Sequence, residues 1–129
     1  VMGHLGLTPQ SIHVLGGYKV QGRDEESRIE LLEAAKGLDA LGCFSIVLEC
    51  IPADLAAEIT AAVSCPTIGI GAGADTDGQV LVMHDILGWG FTQFTKTFVD
   101  VKSEMEKAFG QYVDEVKAGT FPAKEHEFS

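Results

Sequence analysis

Short apolar runs alternate with longer stretches in which apolar residues recur every three or four positions. That alternation predicts βα units around a parallel sheet, an α/β fold. A first strand runs from Val1 and ends near His4, and a polar, glycine-rich loop carries the chain to Arg23. Asp24 suits the N-cap of the next helix, and Glu25 and Glu26 suit its positive end. Leu31, Ala34, Ala35, Leu38 and Leu41 form the helix's inward stripe, and Gly42 stops it. The run Phe44–Glu49 is apolar almost throughout, as a strand buried on both faces should be. Pro52 opens a short helix with Leu55, Ile59 and Ala62 inward.

Pro66 leads into a third strand, Thr67–Ile70, closed by Gly71-Ala72-Gly73. A helix is predicted over Thr76–Leu87, with Asp75, Thr76 and Asp77 at its N-terminus and Gly88-Trp89-Gly90 as its break. A fourth strand is placed at Phe91–Phe94. The last helix puts Val101, Met105, Ala108, Phe109, Tyr112, Val113 and Val116 on one face and ends at Gly119. The polar tail offers Phe121-Pro122 and Phe128 as anchors. Four βα units make half of an eight-unit barrel, which typically takes ~250 residues. The run Val1–Leu5 reads as a strand already under way, so residues 1–129 are expected to be part of a longer chain.

Composition narrows the partners. Nineteen acidic residues against nine basic ones give a net charge of −10, which disfavours nucleic acid and anionic lipid. Cys43, Cys50 and Cys65 sit singly in apolar surroundings without a C-x-x-C pair, so buried free thiols in a reducing compartment are expected. No apolar run nears the ~20 residues that span a bilayer, and no leader is visible. The expectation is a soluble, cytoplasmic protein.

In parallel α/β folds, reactive groups gather where strands end. Glu49 closes the apolar run Ile46-Val47-Leu48, and a desolvated carboxylate there suits a proton acceptor working near neutral pH. Equally, Glu49 could pair with a neighbouring Arg or cap the Pro52 helix. His4, between glycines, could donate to a ligand oxygen or simply be satisfied by a backbone carbonyl. Gly69-Ile70-Gly71-Ala72-Gly73 fails the dinucleotide pattern, because Thr76 stands where its third glycine belongs. The loop either exposes amides to a ligand or is a tight turn needing positive φ. Asp75, Thr76 and Asp77 lack the remaining ligands of a calcium loop, and His84-Asp85 point about 100° apart on a helix. Lys19 would form a Schiff base only if desolvated; the alternative is a solvated loop lysine.

Taken in order, these segments resemble the ketopantoate hydroxymethyltransferase family across nearly the whole chain. Gly3–Ser11 with Gly16–Arg23 resembles the family's long loop after strand five, and Val47–Pro52 its catalytic strand six. Ile68–Gly73, Asp77–Val82 and His84-Asp85 are similar to the strand-seven region, and Pro122 with Glu125-His126 to the C-terminal tail. The resemblance implies the C-terminal half of a TIM (β/α)8 barrel, about strands five to eight. It implies transfer of a hydroxymethyl group from 5,10-methylenetetrahydrofolate to 3-methyl-2-oxobutanoate, giving 2-dehydropantoate. In the family a Mg2+ ion holds the 2-oxo acid. The resemblance makes Glu49 the proton acceptor and gives His4 a supporting place in the substrate pocket. It puts the metal-binding acids in the absent first half, so no residue here is a metal ligand, and it implies a homo-oligomer in the complete form. Thr92-Gln93-Phe94 departs from a family Pro-Lys-Phe. Against this enzyme stand two other readings: a Schiff-base aldolase using Lys19, and a non-catalytic half barrel or partner-dependent module.

Overall fold

The computed structural model describes the chain apart from residues 12, 15, 16, 18, 91–93 and 129. Two compact units result, Val1–Leu81 and Val82–Ser129. The first is an α/β unit: β1 (Met2–Gly6), α1 (Glu25–Ala40), β2 (Ser45–Glu49), α2 (Ala53–Ala62), β3 (Thr67–Ile70) and β4 (Gly78–Gln79). All neighbouring strands pair in parallel, in the spatial order β1-β2-β3-β4. Strands laid down in chain order make an arc of a barrel, whereas a doubly wound sheet reverses order at its switch point.

The hydrophobic core lies on one face of this sheet. Ile46 and Leu48 point there, because alternate strand residues share a face, and they meet Ala35 of α1 and Leu55, Ala56 and Ile59 of α2. Ile46, Leu48, Leu55 and Ile59 are fully buried, each contributing about 1.5–3 kcal/mol relative to exposure. The opposite face carries His4, Val47 and Glu49, which are only half-buried, so β2 is not covered on both sides as its apolar run predicts.

Local chemistry sets the element ends. Asp24 caps α1, its carboxylate accepting from the Ser27 amide at 2.9 Å. Gly42, at φ 83°, takes the left-handed turn that ends the helix. Arg28 braces α1 against α2 through Asp54 at 2.9 Å and Glu58 at 3.5 Å. Asp39 accepts from the Ser64 and Cys65 amides at 2.9 and 3.0 Å, tying the end of α1 to the segment before β3.

Several expectations need correction. Leu31 and Leu38 pack against the core, but Leu41 and Ala34 are exposed, and Leu32 joins the stripe instead. Ala56 rather than Ala62 faces inward from α2, and Phe44 lies outside β2 and is exposed. Strand β1 runs two residues past His4. The predicted helix over 76–87 is wrong in its first half. Asp77 caps no helix; its carboxylate accepts from the Thr67 amide at 2.8 Å and the Thr67 hydroxyl at 3.1 Å. That tie draws Gly78 and Gln79 alongside β3 as β4. Of the strand expected at Phe91–Phe94, residues 91–93 lie outside the described residues, and Phe94 lies in a turn. Cys43, Cys50 and Cys65 are free, but Cys65 is only half-buried.

In the second unit, α3 (Met83–Ile86) is a single turn and α4 (Val101–Ala118) a long helix. Asp100 caps α4 by accepting from the Ser103 amide at 3.0 Å, and Gly119 ends it at φ 69°. The Phe121 ring anchors the tail against Tyr112 (5.6 Å between centroids) and His126 (5.2 Å). Phe128 is fully exposed and anchors nothing. No helix among the described residues is long and apolar enough to cross a membrane.

Candidate active site

Parallel pairing sets Gly6 beside Glu49 and His4 beside Val47. Residues two apart share a face, so the His4 and Glu49 side chains leave the sheet on the same side. Gly6 offers no side chain between them. The His4 ring therefore leans along the strand and donates from Nε2 to Glu49 Oε2 at 2.9 Å. Side-chain exposures of 33% and 16% put the pair at the margin of solvent. Glu49 thus takes neither of the bland partners that sequence allowed, an Arg or the α2 terminus. Helix α2 has no side-chain cap at all.

The backbone around Glu49 is held on three sides. The Glu49 carbonyl accepts from the Leu7 amide at 2.8 Å, and the next amide, of Cys50, donates to the Ile70 carbonyl at 2.9 Å. The Cys50 carbonyl accepts from the Gln21 amide at 2.9 Å, which folds the long loop after β1 back onto the end of β2. Both peptide planes flanking Cys50 are therefore fixed. They impose φ 49° on Cys50, a left-handed conformation for a residue with a side chain. Such a conformation costs about 1–2 kcal/mol in a non-glycine residue. Cys50 is buried, and burial, followed by the Glu49 charge, pushes its thiol pKa up.

Close approach of β1 explains Gly6. Its φ is 88°, and a Cβ there would collide with the Glu49 carbonyl oxygen and reach Ile51 at 2.7 Å. Gly3, on the other side of His4, makes room for Leu38 of α1, which a Cβ there would approach to 2.8 Å. Sequence reading found Glu49 and His4 singly, at two strand ends, but not their pairing, and it missed Cys50 and Gln21. Neither Cys nor Gln signals a left-handed turn or a loop clamp.

Other candidates separate from this site. Gly71 and Gly73 take φ 62° and 79°, so the glycine loop is a tight turn, and it leads into β4 rather than a helix N-terminus. Lys19 is exposed, without the desolvation a Schiff-base lysine needs. His84 lies against the Trp89 ring at 5.8 Å, while Asp85 beside it is buried, so the two do not act as one dyad. No group of three or more His, Cys, Asp or Glu is placed to hold a metal among the described residues. A groove of about 250 Å3 between Gly6, Gly22 and the α1 residues Ser27, Glu30 and Leu31 includes neither His4 nor Glu49.

Comparison with known proteins agrees with the order of the segments. The model of the ketopantoate hydroxymethyltransferase family matches residues 1–124. A 3-methyl-2-oxobutanoate hydroxymethyltransferase from Shewanella sp. (strain W3-18-1) is 54% identical over all of this chain and 50% of its own length. One from Clostridium novyi (strain NT) is 57% identical over 99% of this chain and 48% of its own. The chain spans about half the length of the curated relatives it matches. With a family model covering almost every residue, the chain belongs to the ketopantoate hydroxymethyltransferase family.

Proposed function

We propose that this chain is the C-terminal half of a (β/α)8 barrel that transfers a hydroxymethyl group from 5,10-methylenetetrahydrofolate to 3-methyl-2-oxobutanoate, giving 2-dehydropantoate. The observation that carries this is Glu49 at the carboxyl end of β2, held by His4 at 2.9 Å at the solvent margin. Carboxyl ends of barrel strands are where such folds keep their reacting groups. Glu49 is the proton acceptor. Water releases the one-carbon unit from the folate as formaldehyde, breaking its two C–N bonds and leaving tetrahydrofolate. The Glu49 carboxylate removes the proton on the carbon next to the ketone, that carbon adds to the formaldehyde carbonyl, and the alkoxide formed takes up the proton as the new hydroxyl. His4 holds the carboxylate in one orientation, leaving the second oxygen for the proton.

Magnesium ligands belong, in this reading, to the remainder of the barrel, and none of this chain's residues is assigned to the ion. The same reading carries a cytoplasmic setting and a homo-oligomeric complete protein. The test is Glu49→Gln in the complete protein, which keeps size and polarity and removes the base. We expect kcat to fall by at least about 100-fold, in the range of a general base. Turnover near that of the unaltered protein would sink the assignment.

A further inference from the structure

The site's least expected backbone is at Cys50. We propose that Cys50 is a positioning residue for Glu49, its side chain confining a left-handed corner that sets the direction in which the carboxylate leaves the sheet. This rests on the reading of Glu49 as the proton acceptor.

The corner is defined by contacts from three separate segments. The peptide between Glu49 and Cys50 is hydrogen-bonded to Leu7 on one side and Ile70 on the other, and the peptide after Cys50 is bonded to Gln21. Glycine or asparagine would take φ 49° with less strain, yet the position holds a buried cysteine. The Cβ and thiol have two physical effects there. They fill space behind the turn, and they narrow the φ/ψ range that the corner can explore when loop hydrogen bonds open. A glycine would remove both. The end of β2 at Glu49 would then be held by its strand pairing alone, since Cys50 itself lies outside β2.

Two substitutions in the complete protein separate aiming from stability, with Glu49→Gln alongside. Cys50→Ala keeps the Cβ and the strained φ; Cys50→Gly relieves the strain and frees the corner. The readouts are the thermal midpoint and the rate at which the 2-oxo acid exchanges its C3 proton with deuterated solvent, with magnesium present and folate absent. Cys50→Gly should melt no lower than Cys50→Ala, yet exchange at least about tenfold more slowly, because small misplacements of a reacting group are costly. Its KM for the 2-oxo acid should stay within about twofold of the alanine variant, as expected when aim rather than binding is lost. A purely structural role would make the less stable variant the slower one. Equal exchange rates in the two variants overturn the proposal, and so does a lower midpoint for Cys50→Gly. If Glu49→Gln still exchanges normally, the assignment of Glu49 falls and this inference with it; if only the Cys50 pair fails, Glu49 stands.

Discussion

Replacing His4 tests how much the proposed proton acceptor, Glu49, depends on its neighbour. In the structure, His4 Nε2 and Glu49 Oε2 are 2.9 Å apart, an ordinary length for a hydrogen bond to a carboxylate. Hydrogen bonds to charged groups contribute about 1.5–3 kcal/mol. His4 is a third exposed, so water can replace the imidazole after truncation, and the lower end applies. About 1.5 kcal/mol corresponds to roughly tenfold in rate. His4→Ala in the complete protein should therefore lower kcat about tenfold by initial-rate measurement with both substrates. KM for the 2-oxo acid should change little if His4 acts through Glu49, and rise if it touches substrate. Two further variants sharpen the geometry. The amide nitrogen of His4→Gln reaches about as far as Nε2 and should recover most of the loss; that of His4→Asn stops near the Nδ1 position and should not. A His4→Ala variant within twofold of normal would refute the coupling, as would His4→Asn matching His4→Gln.

Two other outcomes follow from the chain's first unit and from its extent. Asp39 has its pKa lowered, chiefly by the Ser64 amide and hydroxyl, so its folded-state pKa lies below the unfolded value near 4. Its contribution is present above that value and is lost as pH falls through the folded pKa, so the stability gap between the protein and Asp39→Asn, measured by urea unfolding, should shrink below about pH 4. A gap that stays constant from pH 7 to pH 3 would contradict the hydrogen-bond origin of the shift. The 129-residue chain by itself should show no hydroxymethyl transfer with both substrates and magnesium, because it spans only about half the length of the relatives it matches. Full activity of the purified chain would refute this.

What could be read from sequence was local. Asp24, Gly42 and Gly119 bound their helices through backbone chemistry that needs no knowledge of distant residues, and both long helices lie where spacing puts them. The apolar run before Glu49 identified the strand and its chemically loaded end. Failures came where a distant partner outbid local preference. Asp75-Thr76-Asp77 looks like a helix start, but Thr67, ten residues before Asp77, takes its carboxylate and turns the segment into β4. The His4–Glu49 pair spans 45 residues and depends on the β1–β2 register, which periodicity alone does not fix. Cys50 carries no mark of its left-handed turn, because that conformation is imposed by three hydrogen bonds from elsewhere. The stripe of α1 rotated from Ala34 and Leu41 towards Leu32 because the helix packs against α2 as well as the sheet.

Gly6 has a consequence for anyone wishing to redesign the site. Its missing side chain is the clearance between two strands, since the Glu49 carbonyl oxygen occupies the place a methyl group would take. Filling that space to build a new pocket wall would act as a wedge, prising the end of β2 away from β1. The displaced atom belongs to the backbone of Glu49, so the wedge would move that residue before it touched any ligand. Substrate preference is therefore better altered from β3, whose Ile68 and Ile70 share the site's face through their pairing with Val47 and Glu49, than from the strand that looks emptiest.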